Sequence, residues 1–150
     1  CLVLLERACA AGSVRTGADL GTGSGILAVA MAKLGVARVF AVDNDPEARA
    51  STRASVIDNG VAAAVVVGDD IEAIPPGIDL FVANLFADLL VALAEAIAGR
   101  CAPDATIVCS GMLEPDGPRV VARFAELGWA PSATQVESPW FSVALRRSAA

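Results

Sequence analysis

The sequence predicts a three-layer α/β fold: a mostly parallel sheet of seven strands with helices on both faces, finished by an antiparallel hairpin. Three observations carry this. Apolar periodicity switches repeatedly between strand-like and helix-like stretches, which argues for a parallel sheet wound through crossover helices. A glycine-rich run, Asp19-Leu20-Gly21-Thr22-Gly23-Ser24-Gly25, joins the first apolar strand to the helical pattern behind it. Near the end, Trp129 to Glu137 and Trp140 to Arg147 have only Ser138-Pro139 between them. Two strands joined by so short a turn must be antiparallel neighbours.

Taken in order, Cys1 to Ala11 reads as an amphipathic helix; Glu6 and Arg7 interrupt its apolar run, so it does not read as a secretion signal. Gly17 to Leu20 is the first strand. Ile26 to Leu34 is its helix, stopped by Gly35 at a C-terminal glycine position. Arg38 to Asp43 is a second strand, apolar until its last residue. In Asp45-Pro46-Glu47 the first residue can cap, the proline suits the first helical position and the glutamate favours the positive end of the helix dipole. That helix runs to about Asn59 and Gly60 ends it. Ala63 to Val67 is a third strand leading into Gly68-Asp69-Asp70, and Pro75-Pro76-Gly77 marks a loop. Ile78 to Ala83 is a fourth strand ending at Asn84. Ala87 to Ala98 is helical, Thr106 to Ser110 is a fifth strand, and Pro118 to Leu127 is a helix closed by Gly128. There is no internal repeat and no low-complexity linker, so residues 1–150 read as one domain. The chain begins at Cys1 without a methionine and is expected to be a piece of a longer protein.

Composition excludes several classes. At 150 residues the chain can bury a substantial core. Its longest apolar runs, such as Ile26 to Ala32 and Val61 to Val67, fall far short of the about 20 residues that span a bilayer. The net charge is −6 and there is no run of lysines or arginines, which disfavours direct nucleic-acid binding; a basic protein partner suits such a surface better. Cys1, Cys9, Cys101 and Cys109 form no C-x-x-C pair and histidine is absent, so no metal site is expected and the cysteines read as small thiols in a reducing cytoplasm.

The glycine turn is the most informative feature. It lets backbone approach a ligand without Cβ interference, and the following helix start offers free N–H groups. A dinucleotide fingerprint places its third glycine one position later, where this chain has Ile26. The pattern D-x-G-x-G-x-G resembles instead the S-adenosylmethionine site of the Rossmann-like, seven-stranded methyltransferases. That resemblance implies that Asp19, Gly21, Thr22, Gly23 and Gly25 bind the cofactor.

In an open α/β sheet, ligands sit beyond the carboxyl ends of the strands, where the strand order reverses. Four such ends carry polar residues here. The first is the glycine turn itself. Asp43, with Asn44 beside it, closes the second strand; its carboxylate can accept two hydrogen bonds from a ribose diol, or serve as a turn residue within Asp43-Asn44-Asp45. In Asp69-Asp70 one carboxylate can take an adenine amino group, with Asp69 preferred over Asp70. Asn84 is the expected catalytic residue and also part of the cofactor set. Its amide can accept an N–H from a nucleophile and orient it, or it can cap the next helix. Arg119 and Arg123 read as a solvated helix face, and Trp129 and Trp140 as packing residues.

No histidine and no tyrosine are present, which leaves few general bases near neutrality and disfavours Ser–His hydrolysis. Methyl transfer tolerates this, since the methyl donor is already activated. An acceptor lysine with a pKa of about 10.4 must lose a proton, at a cost of about 4–5 kcal/mol at pH 7. Desolvation in a closed site lowers that cost.

Across nearly its whole length the chain resembles the bacterial ribosomal protein L11 methyltransferases, the PrmA family. Cys1-Leu2-Val3-Leu4-Leu5-Glu6 is similar to a C-L-x-x-L-E helix, and Asp19 to Leu27 to D-L-G-T-G-S-G-I-L. Val42-Asp43-Asn44-Asp45-Pro46 is similar to V-D-x-D-P, Val82 to Ala87 to V-A-N-I-L-A, and Ser110-Gly111-Met112-Leu113-Glu114 to S-G-I-L-E. The last two segments discriminate, because the glycine turn is common to many methyltransferases. The resemblance implies an S-adenosylmethionine-dependent protein N-methyltransferase acting on amino groups of the ribosomal protein, a basic and lysine-rich partner. It implies that Gly21 and Asp43 contact the cofactor and that Asn84 lies beside the transferred methyl. Two departures stand out. Nothing here corresponds to the family's N-terminal substrate-gripping domain or to its G-T-G-x-H-x-T-T segment, and Phe86 replaces a leucine. Other readings are the same fold acting on another protein or small-molecule amine, a fragment without activity, and a nicotinamide-binding domain. Glutamine-modifying relatives carry N-P-P-Y where this chain has Asn84-Leu85-Phe86-Ala87.

Overall fold

The computed structural model describes residues 1–12 and 14–148. The chain runs through α1 (Leu2–Ala11), β1 (Thr16–Leu20), α2 (Ile26–Lys33), β2 (Arg38–Val42), α3 (Pro46–Asp58) and β3 (Val65–Gly68). It continues through β4 (Ile78–Asn84), α4 (Ala87–Arg100), β5 (Cys101–Leu113), α5 (Gly117–Glu126), β6 (Trp129–Glu137) and β7 (Trp140–Arg147). Short 3₁₀ turns at Ile71–Ala73 and Glu114–Asp116 were not expected from the sequence.

All seven strands form one sheet in the order β3-β2-β1-β4-β5-β7-β6. β1 pairs in parallel with β2 and β4, β2 with β3, and β4 with β5. Only β7 runs antiparallel, to β5 on one side and to β6 on the other. The three-layer, seven-stranded architecture expected from the sequence is therefore present. The chain leaves β1 toward β2 and β3 on one side, then returns to lay β4 on the other. That reversal opens a crevice above the carboxyl ends of β1 and β4, where ligands bind in such sheets.

β4 shows why the sheet is central. Leu80, Phe81, Val82 and Ala83 are all fully buried, as befits a parallel strand covered on both faces. Phe81 and Ala83 face one core with Leu90, Ile97, Ile107, Phe124 and Trp129, under α4 and α5. Leu80 and Val82 face the other with Leu4, Leu5, Leu27, Met31 and Val108, under α1 and α2. Asp45 caps α3 by accepting the Glu47 N–H at 2.9 Å, with Pro46 at the first helical position.

The largest departure from expectation is β5. Its pattern suggests Thr106 to Ser110, but the strand spans Cys101–Leu113. Pairing starts directly after α4, Cys101 opposite Ile78, and resumes at Met112 and Leu113 opposite Phe141 and Trp140 after a register shift. Pro103, Asp104 and Gly111 hide these extensions from any periodicity argument. β3 begins two residues late because Ala64 still closes a turn on the Val61 carbonyl. Trp129 is fully buried, with the Arg147 guanidinium 4.8 Å from its ring centroid. The expectation that Trp140 is a packing residue is corrected: it is 50% exposed at the hairpin's start. Arg119 and Arg123 are likewise more than a solvated face. They reach Asp88 (2.8 Å) and Glu95 (3.7 Å) of α4, tying α5 to its neighbour.

Candidate active site

The glycine turn is built by main-chain geometry. The Gly21 and Thr22 N–H groups both donate to the Val42 carbonyl, at 2.9 and 3.0 Å, so the turn hangs on the end of β2. Gly21, Gly23 and Gly25 take φ values of 71°, 57° and 82°, a region that L side chains rarely enter. At Gly21 a Cβ atom would lie 2.5 Å from Leu85 Cδ2. The missing side chain at Gly21 thus lets Leu85 close against the turn, while at Gly23 nothing lies within 4 Å of an added Cβ and the cradle is open.

Asp19 and Thr22 depart from their expected role as ligand contacts. Both are buried, and the Thr22 hydroxyl donates to Asp19 Oδ2 at 2.7 Å. The same oxygen accepts the Ala28 N–H at 3.1 Å, so Asp19 stitches the turn to the first turn of α2. These side chains brace the loop from behind. Asp19 Oδ1 is buried with no hydrogen-bond partner. Burial pushes the Asp19 carboxyl up to about 6; the hydrogen bonds from Thr22 and Ala28 pull it down and the nearby Asp43 charge raises it further. Thr52 of α3, which the sequence did not mark, donates its hydroxyl to the Gly23 carbonyl at 3.0 Å and holds the outer side of the turn.

Asp43 serves as the turn residue that the sequence allowed, with capacity to spare. Oδ2 accepts the Gly23 N–H at 3.0 Å and Oδ1 accepts the Asp45 N–H at 3.0 Å. Each oxygen keeps a further lone pair on a half-buried carboxylate at the edge of a cleft of about 380 Å³. Gly21, Asp43, Asn44, Asp69, Asp70 and Leu85 all line that cleft. Asp70 is committed to capping the Ile71 N–H at 2.6 Å, which leaves exposed Asp69 as the freer carboxylate. No lysine or arginine lines the cleft. A pyrophosphate would meet several carboxylates there, whereas a cation carrying a ribose diol meets suitable acceptors. The donor set, with the open backbone at Gly23, therefore fits S-adenosylmethionine better than a dinucleotide.

Asn84 opens onto a second, larger cleft of about 550 Å³. It does not cap the next helix: α4 begins after Phe86, with no side-chain cap bond, and the Phe86 carbonyl takes the Leu89 and Leu90 N–H groups. The Asn84 amide is exposed and stands at the head of a polar row crossing four strands. Asn84 is in register with Ser110, Ser110 Oγ lies 2.8 Å from Ser142 Oγ, and Ser142 is in register with Gln135. Gly111 (φ 81°) holds the floor, since a Cβ there would lie 2.8 Å from Asn84 Oδ1 and 2.8 Å from the Leu85 nitrogen. Leu85 and Leu89 line both clefts, so the two spaces meet at this pair. Of these residues, the sequence marked the Val82–Ala87 and Ser110–Glu114 segments; Gln135, Glu137 and Ser142 emerge only from strand pairing. Burial pushes the Cys101 thiol up to about 12 and the Cys109 thiol further, so neither supplies a thiolate. Among the described residues no group of three or more His, Cys, Asp or Glu side chains is arranged around a metal site, and no helix is long and apolar enough to cross a membrane.

Comparison with known proteins supplies the family. The family model of ribosomal protein L11 methyltransferase (PrmA) matches residues 1–148. The chain belongs to that family. A ribosomal protein L11 methyltransferase from Pelotomaculum thermopropionicum is 40% identical over 99% of this chain and 48% of its own length. One from Heliobacterium modesticaldum is 37% identical over 87% of this chain and 42% of its own. The chain thus spans about half the length of the L11 methyltransferases it matches. A crystal structure of ribosomal protein L11 methylase from Lactobacillus delbrueckii subsp. bulgaricus superposes with a TM-score of 0.89 at 26% identity, over 99% of this chain and 79% of that one. The O-methyltransferase TomG from Streptomyces achromogenes, solved in complex with SAM, shares the fold at 15% identity, with a TM-score of 0.77 over 98% of this chain and 79% of that one.

Proposed function

We propose that this chain is the catalytic domain of an S-adenosylmethionine-dependent protein N-methyltransferase, acting on amino groups of ribosomal protein L11, lysine side chains included. The observation that carries the reading is the meeting of two clefts at Leu85: one acidic and glycine-walled, the other opening on Asn84. S-adenosylmethionine, when bound, supplies a methyl group already activated on a sulfonium. Gly21, Gly23 and Gly25 would leave room for its amino-acid portion, Asp43 and Asn44 would take the ribose hydroxyls, and Asp69 the adenine amino group. Asp19 and Thr22 keep the turn in shape.

In the second cleft the Asn84 carboxamide oxygen accepts an N–H of a neutral amine and leaves its lone pair free, a positioning effect of the kind that intramolecular reactions reward strongly. Leu85, Phe86 and Leu89 supply apolar walls that exclude water. Such walls disfavour the ammonium form and offset part of the roughly 4–5 kcal/mol needed to deprotonate a lysine at pH 7. The net charge of −6 suits a basic, lysine-rich ribosomal partner and gives no phosphate-binding surface. A cytoplasmic setting, in which the four thiols stay reduced, agrees with this partner.

The test is transfer of a labelled methyl group from S-adenosylmethionine to purified ribosomal protein L11, with the modified amines located by mass spectrometry. Asn84→Ala is expected to keep cofactor affinity within about twofold and to lose at least about 100-fold in turnover, the range typical of a removed transition-state contact. Equal loss of binding and turnover would contradict this division of roles.

A further inference from the structure

The second cleft has a far end that Asn84 cannot serve. Glu137, the last residue of β6, lines it opposite Asn84 and is the one carboxylate among its lining residues; no lysine or arginine lines it. Glu137 is exposed, and among the described residues its side chain makes no ion pair or hydrogen bond. Its strand partner across the hairpin is Trp140, 50% exposed, and Phe86 on the other bank is 73% exposed. An unpaired carboxylate between two uncovered aromatic rings suits a cationic side chain with an apolar stem, which gains both charge attraction and contact with ring faces.

The spacing decides what that cation is. β6 is separated from β4 by β5 and β7, three strand steps of about 4.8 Å each, and Glu137 stands two residues along β6 from Gln135, the residue in line with Asn84, so it lies about 16 Å from Asn84. A carboxylate at that distance does not touch an amine held at Asn84. An extended peptide advances about 3.3 Å per residue, so the same 16 Å corresponds to about five residues.

We propose that Glu137, with Trp140 and Phe86, is a specificity site for the acceptor: it binds a second basic side chain about five residues from the amine being methylated. The occupant is an extended basic segment of a protein, and the site gives a small-molecule amine no purchase. This rests on reading the Asn84 cleft as the acceptor site. Recognition at Glu137 acts on binding and leaves the transfer step to Asn84, because the attracting charge stays clear of the reacting amine, whose protonated form it would otherwise stabilise.

Peptides with a blocked N-terminus, one lysine, and an arginine two, five or eight residues to either side test the proposal on the 150-residue chain. Binding is read by tryptophan fluorescence with the demethylated cofactor present. Of the two tryptophans Trp129 is buried, so Trp140 reports. On one side of the lysine, the five-residue spacing is expected to bind about three- to tenfold tighter than the same peptide with alanine for arginine. Glu137→Gln should bring that ratio close to one, raised salt should shrink it, and Asp58→Asn, an equal charge change on remote α3, should preserve it. Binding that ignores spacing, or a ratio unchanged in Glu137→Gln, overturns the proposal. Methyl transfer to L11 with no spacing effect sinks this inference alone. A spacing effect without transfer to any amine sinks the assigned activity and leaves the binding site standing.

Discussion

Replacing Gly111 by alanine should damage this protein more than replacing Gly23, although both glycines have positive φ, 81° and 57°. An L residue in that region costs roughly 1–2 kcal/mol at either position. At Gly23 nothing lies within 4 Å of an added Cβ, so the backbone term stands alone. At Gly111 the Cβ would meet Asn84 Oδ1 at 2.8 Å, the Leu85 nitrogen at 2.8 Å and the Leu85 oxygen at 2.9 Å. Two of these are main-chain atoms that cannot rotate away. Relief requires β5 to move off the end of β4, which breaks the 3.0 Å bond from Leu85 N–H to the Ser110 carbonyl, worth about 0.5–1.5 kcal/mol. The total for Gly111→Ala is about 2–4 kcal/mol, against about 1–2 for Gly23→Ala. At about 2–4 °C per kcal/mol for a domain of this size, the two melting points should drop by about 4–16 °C and about 2–8 °C. Thermal unfolding followed by circular dichroism measures both. A Gly111→Ala variant that melts at or above Gly23→Ala would show that the contact between the ends of β4 and β5 is not the constraint described above.

Three further outcomes follow from the same geometry. The Asp19 carboxyl titrates at about 6 when folded against 3.8 as its ordinary value, so the folded state holds the proton more tightly. Its contribution to stability is therefore present below pH 4 and is lost as pH rises through about 6, about 3 kcal/mol in all at 1.36 kcal/mol per unit. The stability of the parent relative to Asp19→Asn should accordingly decline by about that amount between pH 4 and pH 7 in urea titrations; a flat difference rules it out. Asp43→Ala removes the acceptor for both Gly23 and Asp45 N–H groups, with charge-assisted bonds worth about 1.5–3 kcal/mol each. S-adenosylmethionine affinity measured by calorimetry should fall at least about tenfold, and an unchanged affinity would remove Asp43 from the site. Leu85→Ala opens the wall shared by the two clefts, so affinities for cofactor and acceptor should weaken together, whereas loss of one alone would mean the clefts are independent.

Much of the fold was legible because its signals are local. The glycine turn, the Asp45-Pro46-Glu47 helix start and the Ser138-Pro139 hairpin each depend on residues within a few positions of one another, and each formed where the sequence put it. β5 was legible only in its middle, since Pro103 and Gly111 break the pattern while partners on β4 and β7 continue the ladder. The same division runs through the site. Asp43 and Asn84 could be picked out as polar residues closing apolar strands. Asp19 and Thr22 lie in the same motif yet face inward, because the turn needs a buried acceptor behind it.

By itself, then, the sequence determined the alternation of strands and helices, the family to which they belong and the polar strand ends that line the candidate site, because hydrophobic period, turn residues and caps act over short stretches of chain. Tertiary structure alone decided that Leu85 divides two clefts, that Ser110, Ser142 and Gln135 extend the Asn84 row, and that Glu137 and Trp140 stand across from it. Ser110 is brought beside Asn84, and Ser142 beside Ser110, by strand pairing across 26 and 32 residues, and it is this long-range register that carries the β6–β7 hairpin, with Gln135, Glu137 and Trp140, to the same cleft.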